Sequence, residues 1–315
     1  MFEKIKKITK IIVLFMIFMC ILGLALIRLN SVMSVKAAEA VQKRFSEFER
    51  DSCDVVFVGN SHQFCSIDPM LLKDEFGIES FMLATSAQTV PMSYYAVMEA
   101  VEMQHPDRIV FEVSYCANDF RTVSNEMSHY FFDGMPVGHI KKAAIEDLIE
   151  DEPFWFYVPF GLYHTRWKEL SETDFSDYEV NERGGVFFTE TVPNSSIHVI
   201  DEGDMENMPE EMEKYMDKMV DYCRENGVEL ILYTAPFNTL YDGDETQLED
   251  LERRERIFNY VGKYAGEKGI EYHNLFYEID KLGIDDQTDW MDRQHLNANG
   301  QRKFTEYMAN KGYIR

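Results

Sequence analysis

Residues 54–69 read Asp54-Val-Val-Phe-Val-Gly-Asn-Ser-His-Gln-Phe-Cys-Ser-Ile-Asp-Pro69. Val55, Val56, Phe57 and Val58 make a short apolar run rich in β-branched side chains, closed by Gly59. Such a run reads as a fully buried central strand of a parallel sheet. It stops at Asn60-Ser61-His62, and Asp68-Pro69 then opens a helical pattern with proline in its first turn. Ser61 therefore falls where a buried strand ends and the chain turns toward a helix. In open α/β sheets that carboxyl edge is where sites form.

The same alternation continues outward. Glu79–Ala84 reads as a second strand, Pro91–Gln104 as an amphipathic helix and Asp107–Val113 as a third strand. This βαβαβ order predicts an α/β fold with a doubly wound parallel sheet. It resumes with a helix over Pro209–Glu225, a strand over Val228–Thr234, a helix over Glu245–Glu267 and a strand over Ile270–Leu275. A loop over residues 276–294 and a closing helix over Ala298–Lys311 follow. Between them, residues 117–205 show no such alternation and are rich in aromatics. A stretch of this length reads either as a lid overhanging the strand ends or as a helical flap on the sheet.

Near the C-terminus stands Asp289-Trp-Met-Asp292-Arg-Gln-His295-Leu-Asn-Ala-Asn-Gly300. A serine hydroxyl needs a base to take its proton, and the base needs an orienting carboxylate. Asp292, three residues before His295, supplies the pair; Asp289 is the rival carboxylate. The strand-end serine and the DxxH pair together resemble the SGNH/GDSL superfamily of hydrolases and acyltransferases, over most of residues 53–312. The resemblance implies a three-layer α/β/α, flavodoxin-like sheet, with Ser61, Asp292 and His295 catalytic. It also implies an oxyanion hole formed by the N–H of Ser61, the N–H of Ala87 and the side chain of Asn118. Ala87 stands where the family usually has glycine, so its backbone shape must tolerate a Cβ. Asn118 fits by type, with a longer spacing from its strand, and could instead cap the insertion.

His62 reads as a brace for the turn or as a further site group. His164, Arg166 and Trp167 are the most polar cluster within the aromatic insertion. Aromatic faces stack on sugar rings and an arginine clamps hydroxyls or carboxylates, so these three are candidate substrate-binding residues. An ordinary helix with a buried tryptophan and a surface arginine is the other reading. A stacking platform that also shields the site would favour acyl transfer over hydrolysis. No Cys-x-x-Cys spacing occurs, so no zinc site is expected; no other metal and no cofactor is expected either.

Ile11–Ile27 are 17 consecutive uncharged residues between Lys10 and Arg28. Ile8 and Thr9 extend the run toward the roughly 20 apolar residues that cross a bilayer. Lys4, Lys6, Lys7 and Lys10 precede it, an asymmetry that puts the N-terminus in the cytoplasm and the rest outside. A cleaved signal peptide is the competing reading, with Ala38-Glu39-Ala40 as its cleavage site. The expected organisation is a tip and membrane anchor (1–28), a helix or stalk (29–52) and an α/β domain (53–315).

Residues 1–28 carry five basic side chains against Glu3, a net +4, within a chain of −25, so the remainder carries −29. Such a domain repels nucleic acid. By resemblance to membrane-tethered members of the superfamily, the expected partners are the membrane, a cell-surface glycan bearing acyl esters and a multi-pass membrane acyltransferase. A non-catalytic module that holds a glycan for a partner enzyme is the alternative. Four cysteines lie outside the anchor. Export permits disulfides, with Cys65–Cys116 the pair best placed by the strand pattern, and buried free thiols are the other reading.

Overall fold

The structure, a computed structural model, describes residues 2–176, 180–193, 203–236, 245–292 and 294–314. Parts of the predicted insertion (177–179 and 194–202) lie outside the described residues. Five parallel strands form one sheet in the order β2-β1-β3-β4-β5. They are β1 (Val55–Gly59), β2 (Ser80–Ala84), β3 (Arg108–Glu112), β4 (Glu229–Thr234) and β5 (Glu271–Asn274). β1, β2 and most of β3 and β4 are buried on both faces, which explains their unbroken apolar runs.

Helices cover both faces. Val56, Val58, Phe81, Leu83, Ile109, Phe111, Leu230 and Leu232 point to one side. There they meet α5 (Val90–Gln104), α9 (Glu210–Glu225) and α10 (Glu245–Lys268). Val55, Phe57, Met82, Val110, Ile231 and Tyr233 point to the other. They pack against α4 (Pro69–Phe76) and α11 (Ala298–Lys311). α4 starts as the sequence predicts: Asp68 accepts from the N–H groups of Met70 and Leu71, and Pro69 occupies the first turn.

Four features bear on the sequence expectation, and the first agrees with it. First, α1 runs from Phe2 to Met33 as one helix long and apolar enough to cross a membrane. Second, α2 (Lys36–Glu47) is no free stalk. Its Val41 and Phe45 are buried, and the Phe45 ring meets Phe81 of β2 at 5.0 Å. Third, a short helix, α3 (Ser61–Ser66), starts at Ser61 itself, where only a turn was expected.

Fourth, the aromatic insertion serves the core before it reaches any site. α6 (Asn125–Phe132) packs on α2, and α7 (His139–Leu148) on α5. Phe131, Phe132 and Phe156 are fully buried there. That is the flap arrangement. Further along, residues 180–193 run from the β2 edge toward the closing helix. The N–H of Met82 donates to Arg183, whose guanidinium donates to the Ser80 carbonyl and pairs with Glu79. This covers an edge strand that would otherwise expose its ladder. Gly184 sits at φ +76°, and a Cβ there would meet the Met82 carbonyl oxygen at 2.4 Å, so the crossing requires glycine.

All five cysteines are free, Cys65 and Cys116 included; the four outside α1 are buried. The paired reading fails and the buried-thiol reading stands. Burial pushes Cys53 up to about 11 and Cys223 up to about 12.

The carboxyl ends of three strands meet on one buried carboxylate. Glu112, last residue of β3, accepts from the Ser114 N–H at 3.1 Å and the Ser114 hydroxyl at 2.6 Å. It also accepts from the Ala235 N–H beyond β4 at 3.3 Å. The Ser114 hydroxyl in turn accepts from the Asn60 amide beyond β1 at 3.0 Å. Burial raises Glu112 to about 7, against the bonds from Ser114, Ala235 and Asn60 that favour its charge.

A raised carboxyl binds its proton more tightly in the folded state, so stability falls as pH climbs from the unfolded value near 4.5 toward 7. His62, buried and held down to about 3, acts in the opposite sense below pH 6.5, so the test is a difference. The stability of Glu112→Gln relative to wild type should be more favourable at pH 7.5 than at pH 5, by thermal or urea denaturation. An offset that does not change with pH would show that Glu112 keeps an ordinary carboxyl affinity.

Candidate active site

Ser61 is delivered by a tight strand-to-helix passage. A Cβ on Gly59 would lie 2.9 Å from the Cβ of Gln63, so the chain can fold back on its own strand only with glycine there. Asn60 caps α3, its side-chain oxygen accepting from the His62 N–H at 2.8 Å while its amide donates to Ser114. One side chain thus joins the serine turn to the buried Glu112 network. From the other side α11 grips the same turn. Gln301 donates to the carbonyls of Phe64 and Ile67 at 2.7 and 3.1 Å, and Thr305 accepts from the Asp68 N–H at 2.9 Å.

The imidazole comes from the loop before α11. Trp290 is fully buried, and Trp290 and Leu296 form an isolated antiparallel bridge that turns the loop back on itself. Asn297 caps α11 by accepting from Asn299 and Gly300, and its amide donates to the Thr288 carbonyl at 2.8 Å. A Cβ on Gly300 would sit 2.4 Å from the Asp289 carbonyl oxygen, so the loop and the helix can close only on glycine.

These supports bring three side chains into line. His295 Nε2 lies 2.8 Å from the Ser61 hydroxyl oxygen, and its Nδ1 lies 2.9 Å from Asp292 Oδ2. Asp292 also accepts from the N–H groups of Gln294 and His295, at 2.7 and 2.8 Å. Partial burial would raise its affinity for a proton, but the His295 ring and those N–H groups outweigh it and bring Asp292 down to about 2. Its charge is therefore fixed at any working pH. Asp289 goes elsewhere. Its carboxylate takes the Lys303 ammonium at 2.6 Å and the Asp285 N–H at 2.7 Å, and it is almost wholly buried. Its bonds hold the loop, and among the described residues it is Asp292 whose carboxylate meets the His295 ring.

His62 lies beside this line, its ring stacked on His295 with centroids 4.8 Å apart. Burial first, then the neighbouring His295, lower it to about 3, so it stays neutral, with a hydrogen bond to the Gln294 backbone. From α3, the helix that Ser61 opens, it packs against the loop that carries His295. Ala87 takes φ +55° in the turn after β2, the left-handed shape a glycine would adopt without cost. The Gln88 side chain ties this turn by accepting from both the N–H and the hydroxyl of Thr85. Asn118 follows the 3-10 helix Ser114–Ala117, half-buried, its N–H donating to the Tyr115 carbonyl. Arg253 holds both its neighbours, Ala117 by the carbonyl and Asp119 by the carboxylate.

His164, Arg166 and Trp167 are placed differently from the expectation. Arg166 donates to the carbonyls of Met33 and Ser34 and pairs with Asp174 at 2.7 Å. His164 bonds the Gly161 carbonyl, and Trp167 is 64% exposed beside Lys168. Their bonds run to the end of α1 and within their own segment, not to the triad. The sequence reading missed residues 186–192 instead. The Phe188 carbonyl accepts from the Ala298 N–H at 2.8 Å, and the Val192 N–H donates to Trp290 at 2.9 Å. The Phe188 ring also meets Phe64 of α3 at 6.4 Å. No sequence signal marked that segment beyond its place in the aromatic insertion. Among the described residues no group of three His, Cys, Asp or Glu side chains could hold a metal ion.

No family model matches the sequence, and no curated protein matches it. Among solved structures, the chain is similar to a protein from Bacteroides fragilis described as an acylhydrolase. The two are 12% identical, with 87% of this chain and 95% of that one covered and a TM-score of 0.43. It is also similar to a GDSL-like lipase from Bacteroides thetaiotaomicron, at 12% identity, with coverage of 82% and 88% and a TM-score of 0.38. A protein from Desulfitobacterium hafniense described as a lipolytic protein of the G-D-S-L family is 15% identical, with coverage of 81% and 97% and a TM-score of 0.39.

Proposed function

We propose that this protein is a membrane-anchored serine esterase or O-acyltransferase, acting outside the cytoplasm on acyl esters, acetyl above all, of a cell-surface glycan. The observation that carries the ester chemistry is the unbroken line from Ser61 through His295 to Asp292, at 2.8 and 2.9 Å. In this reading the Ser61 oxygen attacks the ester carbonyl while His295 Nε2 takes its proton. The C–O bond to the leaving alcohol then breaks, and His295 returns the proton to that alcohol. Asp292, held ionised, fixes the imidazole tautomer and stabilises the imidazolium. Water or a sugar hydroxyl then attacks the acyl-serine, with His295 again as base. The N–H groups of Ser61 and Ala87 and the Asn118 side chain are the proposed donors to the oxyanion.

The competing reading, a glycan-holding module without catalysis, has less support. A scaffold relieved of chemistry has no need to keep a serine, an imidazole and a depressed carboxylate in hydrogen-bonded register. The glycan remains an expectation from the superfamily resemblance, since Arg166 is committed to the end of α1 and Trp167 stands exposed in the same segment. The flavodoxin-like description is supported by the strand order β2-β1-β3-β4-β5.

Purified protein should react with a fluorophosphonate probe at Ser61. Ser61→Ala and His295→Ala should each abolish turnover of a simple acetyl ester, and Asp292→Asn should lower kcat by about 10⁴. A near-normal rate for Ser61→Ala would eliminate the acyl-serine route. For location, the lysines before the apolar run and the exposure of that run along α1 support an anchor with its N-terminus inside. Protease added to intact cells should cut the domain beyond residue 33 while the protein sediments with membranes. Recovery from the soluble cytosol would reject the topology.

A further inference from the structure

Residues 153–175 form a collar at the end of α1. Two of its short helices, α8 (Phe160–Tyr163) and the 3-10 turn Glu172–Phe175, pack against that helix. Arg166 binds its last carbonyls, donating to Met33 at 2.6 Å and Ser34 at 2.9 Å, and is held by the buried Asp174. Backbone carbonyls leaving a hydrocarbon layer need such partners.

The collar exposes six large apolar side chains beside the charged Lys168, Glu169 and Glu172. Phe154, Tyr157, Val158, Leu162, Trp167 and Phe175 are between 38% and 64% exposed. Among the described residues beyond α1, these six are half of the twelve large apolar side chains that stand exposed. That concentration of exposed apolar surface in one short segment calls for a partner.

The depth identifies the partner. Arg28 ends the uncharged run, and Met33 lies five residues beyond it, about 7–8 Å along the helix axis. The polar layer outside the hydrocarbon is roughly 5–8 Å thick on each side. The collar thus meets α1 at the level of the lipid headgroups. Composition agrees: tryptophan and tyrosine concentrate at that level, and cations lie among the phosphates. Here Lys168 sits over the Trp167 ring at 5.6 Å.

We propose that the exposed face of residues 153–175 is a lipid-contacting surface, seated in the interfacial layer of the same bilayer that α1 enters. It rests on the anchor reading above. With it, the α/β domain lies against the membrane by a second contact and does not swing on a single helix.

Tryptophan quenching tests it with the full-length chain reconstituted into vesicles. Lipids brominated near the acyl carbonyl are compared with unbrominated lipid. The chain has three tryptophans, and Trp290 is fully buried. Brominated lipid should quench the wild-type emission, and Trp167→Phe should remove at least about half of that quenching. Adding Leu162→Trp to Trp167→Phe should restore it. If the protein floats with the vesicles yet Trp167→Phe leaves the quenching unchanged, the lipid surface is overturned while the anchor stands. If the protein does not float, the anchor falls and the surface with it. Emission from Trp167 that responds to an added acetylated glycan and not to brominated lipid would overturn the proposal in favour of sugar binding.

Discussion

One buried carboxylate decides how the strand ends can be arranged. Glu112 is fully buried, away from bulk solvent, and its donors come from the chain. Those donors are backbone and side-chain groups just beyond β3 and β4, and Ser114 passes the demand on to Asn60 beyond β1. Asn60 cannot turn away without leaving a buried hydroxyl and an uncapped helix. The residue that follows it is Ser61. The position of the Ser61 backbone is therefore set by the polar interior of the sheet before any contact with His295 is made.

The imidazole side is held by different means. Trp290 and Leu296 sink the loop's apolar ends into the core, and Gly300 lets α11 close on Asp289 without a clash. α11 then reaches back to α3 through Gln301 and Thr305. Serine and base stand 234 positions apart in sequence, yet one helix touches the supports of both. Residues 186–192 complete the frame by bonding the same loop from outside. A substitution at Gln301 touches the geometry of the pair without touching either member.

The strands were legible because burial on both faces demands unbroken apolar runs, and their shortness sets them apart from the long run of α1. Ser61, Asp292 and His295 were legible because a strand end and a three-residue carboxylate–imidazole spacing are local patterns. Choosing Asp292 over Asp289 needed only that spacing, and Lys303 shows what Asp289 does instead. The aromatic insertion was harder. Aromatic side chains look the same in a core, a lid or a membrane collar, and only neighbours distinguish Phe131 in the core from Trp167 in the open. Arg166 looked like a substrate clamp because its partners, two backbone carbonyls at the end of α1, have no side-chain signature. Glu112 was invisible for a related reason: a single acidic residue ending a strand ordinarily meets solvent.

The cysteines have a consequence for how the chain matures. Cys53, Cys65, Cys116 and Cys223 are buried apart from one another, each with its thiol held protonated by the apolar surroundings. Thiolate is the form that attacks oxidants and disulfides, so the native fold presents almost none. The finished protein is then indifferent to whether its surroundings are oxidising or reducing. A domain with four buried thiols beyond α1 and no bond between them gains nothing from oxidative folding catalysts. What it requires is speed, because those sulfurs are reactive only until the sheet closes over them.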